Sequence, residues 1–204
     1  MSLACLASIY LINGTLSPSI AQSTEREFEN TVPKHLPIKV KIKKEKEKAF
    51  KDLTNEKWAR DLEIEVTNTG DKPIYFLSMT LVLPEIIGAS GYKSGFTLHY
   101  GRTQLGDLVN KAEPDDIPIN PGEVYIFKIA EAHVLGWDSF RRKENKPQPK
   151  KVILHFQLLS FGDGTGFLGG SGISFPPAPD GKSSLNRCEP EPDFSDSQPS
   201  RHSS

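Results

Sequence analysis

The chain is short of most of the residues that chemistry needs in clusters. It has two cysteines in 204 residues: Cys5 in an apolar leader and Cys188 in a polar tail. That placement argues against a structural disulfide, and no cysteine pair has metal-ligand spacing. Charge of one sign is also lacking: 25 Lys and Arg against 26 Asp and Glu leave a net charge of −1. No global field therefore draws in nucleic acid or a membrane surface. The longest uncharged apolar stretch, Leu3 to Leu16, is too short to span a bilayer comfortably, so no transmembrane segment is expected in the mature chain.

Catalytic signatures are missing too. There is no HExxH, no phosphate-binding loop and no dinucleotide fingerprint. Gly169-Gly170-Ser171-Gly172 has the wrong spacing for a nucleophile elbow. The five histidines, 35, 99, 133, 155 and 202, are scattered, although His99 and His155 fall on expected strands. No carboxylate pair stands out as an acid and base couple. The expectation is a protein without catalytic residues or a resident cofactor.

What the chain does have is strand pattern and turn residues, with 16 Gly and 16 Pro. Leu62, Ile64 and Val66 alternate with Glu63, Glu65 and Thr67, a period of two that sends aliphatics to one face and carboxylates to the other. Asn68-Thr69-Gly70-Asp71-Lys72-Pro73 breaks the run with residues that bond their own backbone or permit φ > 0. Ile74–Leu83 follows as a near-continuous apolar run, the mark of a central strand, with Pro84 expected to end it. Ahead of both, Ile38, Val40 and Ile42 alternate with Lys39, Lys41 and Lys43. If this strand lies beside the Leu62 strand, a lysine row faces a glutamate row, each pair contributing about 0.2–1 kcal/mol. The lysine row reads as a solvated edge that deters aggregation; the competing reading is a surface for anionic polymers.

Further strands are expected at Phe96–Arg102, at Val124–Ile129 after a Pro121-Gly122 type II turn, and at Lys150–Phe161. In the last, Val152, Leu154, Phe156 and Leu158 are assigned to one face. Val134, Trp137 and Phe140 fall at helical steps within Glu131–Lys143, predicting a short helix across one end of the domain, and Ala49, Phe50 and Leu53 suit a helical turn.

The organisation follows. Residues 1–21 read as a secretory signal peptide, uncharged and ending in Ser19-Ile20-Ala21, though without a basic n-region. Residues 22–35 are a charged lead-in, 36–175 an all-β antiparallel sandwich with one short helix, and 176–204 a disordered tail rich in Pro, Ser, Asp and Glu. LEIEVTNTGDKPIYFLSMTLVL with the downstream INPGEVYIFKI resembles the bacterial immunoglobulin-like sandwich domains, at Asn68, Thr69 and Gly70 and at Pro121, Gly122 and Glu123. With its leader and FGDGTGF segment, the chain also resembles a group of uncharacterised exported bacterial proteins. The resemblance implies an architecture over residues 33–168 and supplies no site residues.

Two local features stand as ligand-site expectations. Tyr92, Tyr100, Arg102 and Trp137 are a set that stacks on sugars or meets a protein, or else packs the core. Asp163 and Thr165, in the glycine-framed Phe161–Phe167 loop, offer oxygens to Ca²⁺, with Asp115 and Asp116 contributing if loops converge; the bland alternative is a tight turn. The functional expectation is an exported structural or protein-interaction module whose partner is a protein or another cell-envelope component, with a carbohydrate- or Ca²⁺-binding module as the alternative.

Overall fold

The structure, a computed structural model, describes residues 24–88 and 90–177. The expected signal peptide, Cys5, Cys188 and nearly all of the expected tail lie outside the described residues. Strands β1 (Glu27–Asn30), β2 (Ile38–Ile42) and β3 (Glu63–Asn68) are followed by β4 (Phe76–Ile87), β5 (Lys93–Tyr100) and β6 (Val124–Lys128). The series ends with β7 (Lys151–Ser160), β8 (Gly166–Leu168) and β9 (Ile173–Phe175). They form two sheets. The larger runs β5-β4-β7-β8-β9, with β1 also on β7; the smaller runs β2-β3-β6. Every pairing is antiparallel except β1 with β7, which is parallel.

Both sheets turn apolar residues into one core. Ile64, Val66 and Phe127 come from the smaller sheet, and Leu77, Met79, Leu81, Leu98, Val152, Leu154 and Phe156 from the larger. The lysine and glutamate rows meet as the alternation predicts, Lys41 opposite Glu65 in register, with Nζ–Oε2 at 2.7 Å. Glu63 goes further: one carboxylate receives Lys43 at 3.1 Å and Lys128 at 3.0 Å, one lysine from each side. Hydrogen bonds from those two lysines hold its carboxyl below the usual range.

Besides the expected short helix and the helical turn expected around Ala49 and Phe50, a further helix is present. α1 (Lys44–Lys51) buries Phe50, α2 (Trp58–Asp61) buries Trp58 and Ala59, and α3 (Glu131–Lys143) buries Val134 and Trp137. A 3-10 turn spans Thr103–Asp107. The extra helical turns form because the Lys/Glu segment between β2 and β3 carries two large aromatics, Phe50 and Trp58, that the core takes in.

Other expectations change in detail. The segment at 22–35 is not a mere lead-in: it supplies β1 and a buried arginine, Arg26. β3 and β4 do not pair with each other; they belong to different sheets, and the 69–75 connection crosses between them. Buried Asn68 holds that crossing. Its Nδ2 donates to the carbonyls of Lys72 (2.8 Å) and Ile119 (2.9 Å), and its Oδ1 accepts from Gly70 N. Gly70 is needed there for closeness rather than for positive φ, since a Cβ would sit 2.7 Å from Pro37 Cβ. Pro84 does not end β4. It sits where the β5 ladder is interrupted, between Leu83 and Ile87, and beyond the last β7 pair, so its missing N–H costs no bond. In β7 the register slips between Phe156 and Leu158, so Leu159 rather than Leu158 turns into the core. Pro121-Gly122 turns as expected, with Gly122 at φ +81° and Glu123 N donating to Asn120 O at 2.9 Å.

Candidate functional site

The expected ligand residues do not gather in one place. Trp137 lies on α3, almost wholly buried, with its ring edge-on to Phe96 at 6.1 Å and to Trp58 at 6.4 Å. Tyr100 is four residues along β5 from Phe96, roughly 13 Å away at strand rise. Its hydroxyl donates to Ile117 O at 2.6 Å and its ring meets Tyr125, while burial pushes the phenol pKa up. Arg102 grips Asp116 through Nε (3.1 Å) and Nη2 (2.9 Å), and Glu113 through Nη1 (2.9 Å). That fork raises the arginine and lowers the Asp116 carboxyl. Tyr92 stands exposed on the β4–β5 turn.

The glycine-framed loop does bring Asp163 and Thr165 together. Asp163 Oδ1 accepts from Thr165 N (2.9 Å) and Oγ1 (2.6 Å), and Oδ2 takes the Lys72 ammonium at 2.9 Å. The ammonium also lies over the Phe161 ring, 5.3 Å from its centroid. A lysine thus stands where a cation would sit, and Asp116 is committed to Arg102. Among the described residues no group of three or more His, Cys, Asp or Glu side chains is placed to hold a metal. His99 and His155 flank β4 on opposite sides, opposite Ser78 and Thr80 in register, and His155 Nδ1 is bonded to Thr31 Oγ1 at 2.9 Å.

A different site emerges along one flank, where β1 of the larger sheet and β2 of the smaller one stand side by side without pairing. Between them runs an open cleft of about 800 Å³, lined by Arg26, Phe28, Asn30, Val40, Ile42 and Lys44 among others. Phe28, Val40 and Ile42 pack against the core yet stay only partly buried. On β2 the inward positions pass from buried Ile38 to half-buried Val40 and Ile42 as the cleft opens. The rim is charged, with Glu25, Glu27, Lys41, Glu47 and Lys51. An apolar floor inside a polar rim is the anatomy of an interaction surface.

The strand edges add backbone groups to that floor. Lys43 N donates to Glu63 O, and Thr69 N to Pro37 O, so odd-numbered residues of β2 carry the ladder to β3. Ile38, Val40 and Ile42 therefore turn their N–H and C=O groups to the free edge. On β1, Glu27 N and Thr31 N donate towards β7, to Lys150 O and Leu154 O, which leaves Phe28 and Asn30 facing the cleft. One side chain crosses the gap: Asn30 Nδ2 donates to Val40 O at 3.1 Å, while its Oδ1 accepts from Val32 N at 3.0 Å.

The base of the cleft is anchored by Arg26. Its Nε donates to Pro149 O at 3.0 Å and its Nη1 to the carbonyls of Phe50 and Asp52, and its guanidinium lies 4.9 Å from the Trp58 ring centroid. Burial lowers its pKa to about 10, which leaves it charged at neutral pH. Sequence reading missed this site because β1 is four residues, two of them glutamates, with no periodicity to find. The half-signal present was Phe28, the one large apolar residue in a charged stretch.

No protein family, curated protein or solved structure matches the chain. Among the described residues no helix is long and apolar enough to cross a membrane.

Proposed function

We propose that the chain is an exported immunoglobulin-like sandwich that works as a non-enzymatic protein-interaction module, and that it meets its partner along the β1–β2 cleft. The observation that carries this reading is the half-buried row Phe28, Val40 and Ile42 beneath two strand edges that, among the described residues, form no ladder with each other. A core left open along one seam is costly, because each aliphatic side chain is worth about 1.5–3 kcal/mol when fully covered. A partner that covers the seam recovers part of that. Glu63, Arg102 and Asp163 support the same reading, since each is engaged in pairs that hold strands and loops: Glu63 with Lys43 and Lys128, Arg102 with Asp116, Asp163 with Lys72.

The test is site-specific photocrosslinking in the producing cell. A photoreactive residue replaces Lys44, exposed on the cleft, or Val109, exposed outside it. The expected result is a discrete protein adduct from position 44 and none from position 109. Equal labelling from both positions, or none from either, would refute the assignment.

A further inference from the structure

The free edge of β2 has a chemistry that selects its partner, and we infer that it is completed by an extended segment alternating aliphatic and acidic residues, added as an extra strand. This deepens the interaction reading and rests on it. A strand already present shows the pattern that fits. β3 pairs with β2 by setting Ile64 and Val66 over the core beside Ile42 and Val40, and Glu65 against Lys41 on the outer face. The opposite edge of β2 presents the same side chains to any strand laid along it, because faces alternate along β2 irrespective of which edge is used. A segment with the pattern of β3 would put its aliphatics over the half-covered Val40, Ile42 and Phe28, and its carboxylates beside Lys39 and Lys41.

Charge makes the choice. Lys39 has no carboxylate partner among the described residues, and the Lys41 side chain stays 56% exposed although it touches Glu65. A second copy pairing β2 to β2 antiparallel about Val40 would set Lys39 against Lys41, like charge directly opposite like, which is destabilising. An acidic strand removes both problems on β2, and the carboxylates across the cleft are already held, Glu27 and Glu29 by Lys151 and Glu47 by Lys51. Main-chain groups supply the rest: the N–H groups of Ile38, Val40 and Ile42 are unclaimed by β3 and face the edge, and the mode is strand addition.

Asn30 is the plug. It is exposed, and its amide occupies Val40 O, an acceptor that an incoming strand needs. Strand addition requires Asn30 to swing aside, so removing its amide should favour binding.

The probe is a labelled peptide copying residues 61–68, DLEIEVTN, titrated into the full chain and read by fluorescence anisotropy. A control peptide has both glutamates replaced by lysine. The expected order is clear binding of the acidic peptide and at least about tenfold weaker binding of the lysine peptide. Val40→Pro removes an edge N–H that β3 does not use, so the fold stands while affinity falls about tenfold. Lys39→Glu should reverse the preference between the two peptides, and Asn30→Ala should tighten the acidic peptide about threefold. These two variants carry the test if Val40→Pro proves unstable by circular dichroism. Equal affinity for both peptides, or binding unmoved by Lys39→Glu and Asn30→Ala, overturns the inference. A silent peptide with a persisting Lys44 adduct also overturns it while the interaction reading stands; loss of the adduct removes the reading beneath it.

Discussion

Arg26→Ala is expected to be among the most damaging single substitutions in the domain. Arg26 is 1% exposed and ties its own segment to two others through three carbonyls: Phe50 and Asp52 at the end of α1, and Pro149 just before β7. Two of those bonds are well inside hydrogen-bond range, and a charged donor is worth about 1.5–3 kcal/mol per bond. The stacking on Trp58 adds about 1 kcal/mol. Relief of the buried charge offsets part of this, since that charge is costly enough to lower the arginine pKa to about 10. The net loss for alanine is about 3–5 kcal/mol, because the carbonyls remain buried and the stem leaves a hole. Arg26→Met fills most of the volume and carries no charge, so it should cost about half as much. Urea unfolding at pH 7 measures both. With a slope near 2 kcal/mol/M the alanine midpoint should drop by about 2 M, at unchanged slope. An alanine variant within about 1 kcal/mol of the parent would show that the three carbonyls find water, and that Arg26 does not hold the flank together.

Gly162→Ala should destabilise by at least about 2 kcal/mol in the same assay, because φ is +70° and the new Cβ would lie 2.6 Å from Ala112 Cβ and 2.8 Å from the Tyr75 ring. Gly136→Ala should do the opposite: it sits mid-helix on α3 with nothing within 4 Å of a new Cβ, so thermal unfolding should show a gain of about 0.8–1 kcal/mol. Glu63→Gln tests pH dependence. Lys43 and Lys128 depress the folded-state pKa of Glu63 below its unfolded value, so its stabilisation is present above the unfolded pKa of about 4.3 and is lost as pH falls through the folded one. The glutamine variant should therefore lose less stability on acidification than the parent; parallel acid-unfolding curves would count against the two-lysine clamp.

Elements whose reasons are local were legible in the sequence. The lysine row on β2 and the glutamate row on β3 declared their pairing, the Asn120–Glu123 turn declared its glycine, and α3 runs from Glu131 to Lys143 as its spacing predicts. Elements whose reasons lie far away were not. Glu27–Asn30 is a strand only because β7 offers it an edge, with Thr31 bonded to Leu154 across 123 residues. The slip at Gln157 that exchanges Leu158 for Leu159 is set by the partner strand and leaves the period of two unmarked. Arg26 in a charged stretch reads as solvated, and only the rings of Phe50 and Trp58 make a place for it. The cleft shows the same limit from the other side: alternation says that Val40 and Ile42 face inward, and says nothing about whether anything covers them.

β7 carries β4 along one edge and, on the other, β1 over its first half and β8 over its second. The two ends of the domain thus meet on a strand that leaves the ribosome late. Neither β1 nor the Arg26 contact to Pro149 can form until some 120 residues have followed them. A chain with contacts this distant folds slowly, and its closing step waits for nearly the whole of its length. During that interval β2 and β3, joined by a local connection, can already be paired while the larger sheet lacks its centre. The larger sheet is consequently completed only once β7 has been made, however early the smaller one forms.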